Sequence, residues 1–232
     1  MFQDGAAGNG MVARRDLDAG AEVVAVPLGL SLVAEVAVAS VGADADVDLD
    51  AAAQRMGGGL AYVRDLLAVT AQLALAKADA DGGGTGAAAA HAASMPWRWA
   101  ATQHVLAWSD ADVARLKGTS AHGDVVDFRA TAAAGLEALA AALPAVADDP
   151  ALVQASFALV LSRSFTLATT SAAVPPLADL LNHDAVPNCE FFQRCVGRPL
   201  WCRAAAAAAH FASPAAQVRP LDHPYHPARP QR

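Results

Sequence analysis

The stretch that decides the fold runs from Pro176 to Gln193, PLADLLNHDAVPNCEFFQ. Its first half, Leu177-Ala178-Asp179-Leu180-Leu181, is an apolar run with one carboxylate set into it. Asn182 and His183 follow at once, with no glycine or serine to soften the change. A buried polar group left unpaired costs about 1–3 kcal/mol, so Asp179, Asn182 and His183 all need partners. Neighbouring backbone or a bound ligand would serve, and these residues alone leave both readings open.

Composition narrows the setting. The chain has 232 residues, 55% hydrophobic and 17% charged, enough for one large domain or two small ones. Much of the apolar share is alanine, which buries little area, so the core must rest on scattered Leu, Val and Phe. Runs such as Ala87–Ala90 and Ala204–Ala209 are low-complexity and say little about function. The net charge of −7 sets nucleic acid aside as the main partner, although the stretch from Gln193 onward holds six arginines against the single acid Asp222. That tail lacks the interleaved aromatics of a nucleic-acid surface and reads as solvated. No long uncharged apolar run predicts a membrane span. The N-terminus MFQDGAAGNG is neither a signal nor a transit peptide. The expectation is a soluble intracellular protein.

Cys189, Cys195 and Cys202 are odd in number and point to a reducing compartment rather than a disulfide framework. Their C-x5-C-x6-C spacing lacks the close pairing of structural zinc, even with His210, His223 and His226 nearby, so no metal site is expected.

Along the chain, residues 11–36 read as β. Val12-Ala13-Arg14 and Val23–Val26 flank a turn at Asp16–Gly20, and Pro27 closes the second strand. Gly5–Gly10 ahead of them reads as a glycine-rich loop able to approach a ligand closely. Residues 42–58, acidic and Ala/Gly-rich, read as a poorly ordered connection. A helix is predicted from Leu60 to Lys77 on the recurrence of Tyr62, Leu66, Val69 and Leu73. Ala78–Ser94 reads as a flexible interruption, and Trp97, Trp99 and Trp108 as core anchors. Ser109, with Asp112 three residues on, caps a short helix ending near Gly118. Phe128–Leu143 is a helix stopped by Pro144. Asp149-Pro150 opens another, with Leu152, Phe157, Val160 and Leu161 inward and Arg163 at its end. Strands at both ends with helices between exclude an alternating βαβ sheet. The fold class is α+β with a helical insertion.

Four segments then fall into a known order: Ala7–Leu17 with Ala19-Gly20 and Val26-Pro27; Trp108-Ser109 with Leu116–Thr119; Ser162–Phe165; and Pro176–His183. Together they resemble the SET-domain protein methyltransferases, in the helical-insertion branch typified by the Rubisco large-subunit lysine methyltransferase and the actin-histidine methyltransferase. The likeness covers roughly residues 5–192. It implies a SET-type β fold over 5–203 with a helical insertion at about 40–150, while the Ala/Pro/Arg composition of 204–232 reads as a disordered tail. It also implies S-adenosylmethionine as cofactor, lined by Ala7, Gly8, Asn9, Arg163, Asp179, Asn182 and His183. The implied activity is methyl transfer to a lysine of a protein substrate, ahead of histidine.

One departure matters. The family places a catalytic tyrosine in a "YG" segment downstream of the Asn-His block, whereas this chain has only Tyr62 and Tyr225, and prolines surround the latter. No catalytic residue is therefore assigned. The alternative is a catalytically impaired SET-like module that acts by protein binding. Cys189–Gln193 and Trp201–Arg203 still read as a strand pair.

Overall fold

The computed structural model describes residues 2–5, 8–11, 13, 15–45, 47–57, 61–167, 170–181, 189–193 and 200–204. Two strands open the chain, β1 (Phe2–Gly5) and β2 (Gly8–Met11), paired antiparallel with Phe2 opposite Met11. The glycines of the expected loop thus lie largely in a strand. A turn follows in which Ala21 N–H donates to the Asp18 carbonyl at 2.9 Å. Gly20 takes φ +81° there, the left-handed position that a type II turn reserves for glycine.

Strand β3 (Glu22–Val26) was expected to form a hairpin with residues 12–14, of which Val12 and Arg14 lie outside the described residues. Among the described strands it pairs with β7 (Leu200–Ala204), and β7 also pairs with β6 (Cys189–Gln193), giving the order β3-β7-β6. The register sets Val26 opposite Leu200 and Phe191 opposite Cys202, with a bulge between Glu22 and Val24. The expected pairing of Cys189–Gln193 with the segment around Trp201 is present. A third small sheet joins β4 (Leu32–Val33) to β5 (Ala173–Val174).

Between β4 and β5 lies a helical layer. Helix α1 (Ala34–Ala45) buries Ala34, Ala37 and Val41 on one stripe. In α2 (Leu49–Arg55), Asp48 caps the start by accepting from Ala51 N–H at 2.8 Å. Helix α2 and the last turn of α1 occupy the region, residues 42–58, expected to be poorly ordered. Small buried alanines together with Val47 and Leu49 supply a packing face that composition alone conceals. Helix α3 (Ala61–Asp81) is buried almost all round from Leu66 to Leu73, as befits the middle of a core. It packs against α1, α2, α4 and α8.

Helix α4 (Ala87–Ser94) replaces the expected flexible interruption. Its alanines are strong helix formers, and Ala89 and Ala92 are buried. Trp97, in α5 (Trp97–Thr102), donates its indole N–H to the Ala92 carbonyl at 2.7 Å. The cap at Ser109 holds α6 (Asp110–Ala114), and Gly118 turns the chain with φ +88°. Helix α7 (Ala121–Ala141) begins earlier than its apolar periodicity indicates and stops ahead of Pro144. Helix α8 (Pro150–Arg163) starts on Asp149, whose carboxylate accepts from Leu152 N–H at 3.0 Å. Phe157, Leu159 and Val160 fill the core beneath it. No described helix is long and apolar enough to cross a membrane.

Candidate functional site

Helix α8 places Arg163 at its last residue, facing the turn that carries the decisive stretch. The chain leaves α8, bridges from Phe165 to Ala173, and passes through Pro175-Pro176 into a 3-10 turn at Ala178–Leu180. Leu177, just ahead of that turn, has φ 68° and ψ −44°, near the strained γ-turn conformation that residues with a Cβ avoid. This kink sets the turn's direction. Asp179 N–H then donates to the Pro175 carbonyl at 3.2 Å, and Leu180 and Leu181 N–H close back on Leu177 and Ala178.

Arg163 joins this turn from the side. Its Nη1 donates to the Asp179 carbonyl at 2.6 Å and lies 3.4 Å from Asp179 Oδ2. Both side chains are inside: Asp179 is 3% exposed and Arg163 16%. A third group reaches the carboxylate from α4, where His91 Nε2 stands 3.9 Å from Asp179 Oδ2, the imidazole itself 3% exposed. The cluster is incompletely satisfied. Among the described residues, Asp179 Oδ1, Arg163 Nε and both nitrogens of His91 are buried without hydrogen-bond partners. Native interiors rarely leave such atoms unpaired, and here they belong to three side chains grouped around one carboxylate.

Strand β2, which carries Gly8 and Asn9, lies against the turn holding Asp179. Sequence-distant parts of the expected site therefore meet: the glycine strand, the end of α8 and the acidic turn. Ala7, Asn182 and His183 lie outside the described residues, and for Gly8 and Asn9 only the backbone is described. The residues flanking Asn182 and His183 are informative, however. Leu181 and Cys189 belong to the same apolar cluster, with Ala13, Leu17, Val23, Val24 and Phe191. Leu181 also lines a cleft of about 400 Å³ together with Met11, Ala13, Arg15, Leu17, Glu22 and Val23. Phe165 and Phe191 meet edge to face at 4.7 Å behind it.

Reasoning from sequence named Arg163 and Asp179 but missed His91. It sits within the stretch read as flexible, among alanines that hide their packing. The available signal was one imidazole in a short run of strong helix formers.

No protein-family model matches the chain, and no curated protein matches it. Solved structures do. A crystal structure of the SET domain of LSMT bound to lysine and AdoHcy aligns with TM-score 0.56 and 15% identity, over 89% of this chain and 46% of that one. Rubisco LSMT bound to sinefungin and monomethyllysine aligns with TM-score 0.64 and 15% identity, over 94% of this chain and 47% of that one. The likeness shows the fold: a SET-domain methyltransferase fold, α+β, in which the helical layer interrupts the strands. The chain spans a little under half the length of either structure.

Proposed function

We propose that this chain is an S-adenosylmethionine-dependent protein methyltransferase, with lysine as acceptor, built on a SET domain spanning residues 5–203. The observation that carries this reading is the cluster where β2, Arg163 and Asp179 meet with unpaired polar atoms. Arg163 Nε offers a donor and Asp179 Oδ1 an acceptor, a pair that fits the carboxylate and ammonium at the amino-acid end of the cofactor. The neighbouring structures hold AdoHcy or sinefungin, and lysine or monomethyllysine, which supports the same choice.

In this reading Gly8 and Asn9, with Ala7, present backbone to that end, while Asn182 and His183 contact the cofactor from the segment that follows Leu181. When bound, S-adenosylmethionine supplies an electrophilic methyl group. The chain's own contribution is to orient and to exclude water. Arg163 holds the turn, the apolar cluster around Cys189 closes one side, and the cleft beside Leu181 admits the acceptor. Lysine, with a pKa near 10.4, must arrive as or become the neutral amine, and alignment of its lone pair lowers the barrier. No tyrosine near the described part of the site assists this step: Tyr62 is exposed on the first turn of α3.

Calorimetric titration of S-adenosylmethionine into the chain, beside Asn182→Ala and His183→Ala, tests the proposal. Saturable binding in the parent and its loss in both variants is the expected result. A folded parent that takes up no cofactor overturns it. Binding without transfer to any lysine-bearing protein would instead favour the impaired module.

A further inference from the structure

His91 is the one buried polar side chain on α4, whose other buried residues are alanines. It is 6% exposed, and neither ring nitrogen has a hydrogen-bond partner among the described residues. A neutral imidazole carries one donor and one acceptor, and leaving both buried and unpaired costs about 1–3 kcal/mol each. The group its Nε2 faces is the carboxylate of Asp179, 3.9 Å from Oδ2. That is about 0.7 Å beyond hydrogen-bond length, a gap that a rotation of the imidazole would have to close. Arg163 already holds Oδ2 from the opposite element, so a second donor there would pin the carboxylate's rotation and fix where Oδ1 points.

We propose that His91 is a positioning residue: its Nε2–H is donated to Asp179, and with Arg163 it brackets the carboxylate so that Oδ1 stays turned toward the ligand. The helical insertion thereby takes part in the site through one side chain of α4. The inference rests on the proposed cofactor reading for its functional consequence, but the imidazole–carboxylate pairing stands apart from it. The ligand addressed is the ammonium-bearing end of the cofactor, through Asp179 rather than by direct contact.

The test is long-range ¹H–¹⁵N correlation of the histidine rings in the 232-residue chain and in Asp179→Asn, joined to titration with S-adenosylhomocysteine. In the parent, His91 is expected in a single Nε2–H tautomer, and Asp179→Asn is expected to shift its ring nitrogens. His91→Leu should weaken S-adenosylhomocysteine by about tenfold, and His91→Gln should recover most of that loss. In the Asp179→Asn background the His91→Leu effect should shrink below about twofold, the signature of coupled residues. A His91 in the Nδ1–H form, or in mixed tautomers in the parent, overturns the proposal whatever the variants do. So does an undiminished His91→Leu effect in the Asp179→Asn background. If the parent binds no cofactor, the methyltransferase reading falls, while the tautomer still decides whether His91 and Asp179 are paired.

Discussion

At the scale of single residues, the centre of the molecule is one carboxylate shared among several claimants. Asp179 is held by the Arg163 guanidinium through both its carbonyl and its side chain, and removing one partner of a buried pair strands the other. Asp179→Ala is therefore expected to cost about 3 kcal/mol, read from the urea midpoint, and Asp179→Asn distinctly less because it keeps an acceptor. Equal losses would mean that the charge alone carries the effect and the retained acceptor contributes nothing. A second residue gives a pH signature. Burial holds the His104 imidazole below its ordinary value of 6.5. Its Nδ1 also accepts from Leu106 N–H at 3.3 Å, which protonation would forbid. The folded state thus binds fewer protons than the unfolded chain. Its contribution is complete above about pH 6.5 and is lost as pH falls from there toward the lowered folded pKa. Denaturation midpoints between pH 8 and 5 should fall more steeply for the parent than for His104→Gln.

At the scale of elements, capping and punctuation were legible and packing of small residues was not. Ser109, Asp149 and Pro150 announced two helix starts, because a side-chain oxygen three residues ahead of an N–H is a local device. The segment at α4 has no such cap, and the one that Asp48 supplies ahead of α2 went unread in an acidic, alanine-rich stretch. Their order comes from close approach to α3, a tertiary effect that propensity does not encode. The pairing of β3 with β7 was not legible for the same reason: that partner lies far away in sequence, and turn chemistry speaks only for neighbours. The kink at Leu177 yields an elemental prediction. The side chain is 47% exposed, so it buries little, while its positive φ stores strain of about 1–3 kcal/mol. Leu177→Gly should be neutral or stabilising by up to about 1 kcal/mol in thermal unfolding. A clear loss would show that the exposed leucine itself anchors the turn.

At the scale of the whole molecule, the helical layer and the site are one mechanical object, because α8 both fills the core and delivers Arg163. Phe157 lies at 2% exposure beneath that helix. Phe157→Ala should cost about 3–5 kcal/mol, with helical dichroism and tryptophan fluorescence lost in a single coincident transition. Separated transitions would mean that the layer and the sheets unfold independently. The ordered set of short motifs was enough to anticipate the α+β class and the SET-type fold. It also named the two described side chains that meet at the turn. The third, His91, depended on the whole layer being folded.

The middle position of β7 has a consequence for how the protein comes into being. Val26 waits for Leu200, so on the ribosome the first strand of that sheet emerges with its partner still unmade. At about 5–20 residues per second, β3 remains an open edge for many seconds while the helices behind it condense. Chaperone contact, or pairing with a neighbouring nascent chain, has that interval in which to act, and the sheet closes only once Leu200–Ala204 has emerged.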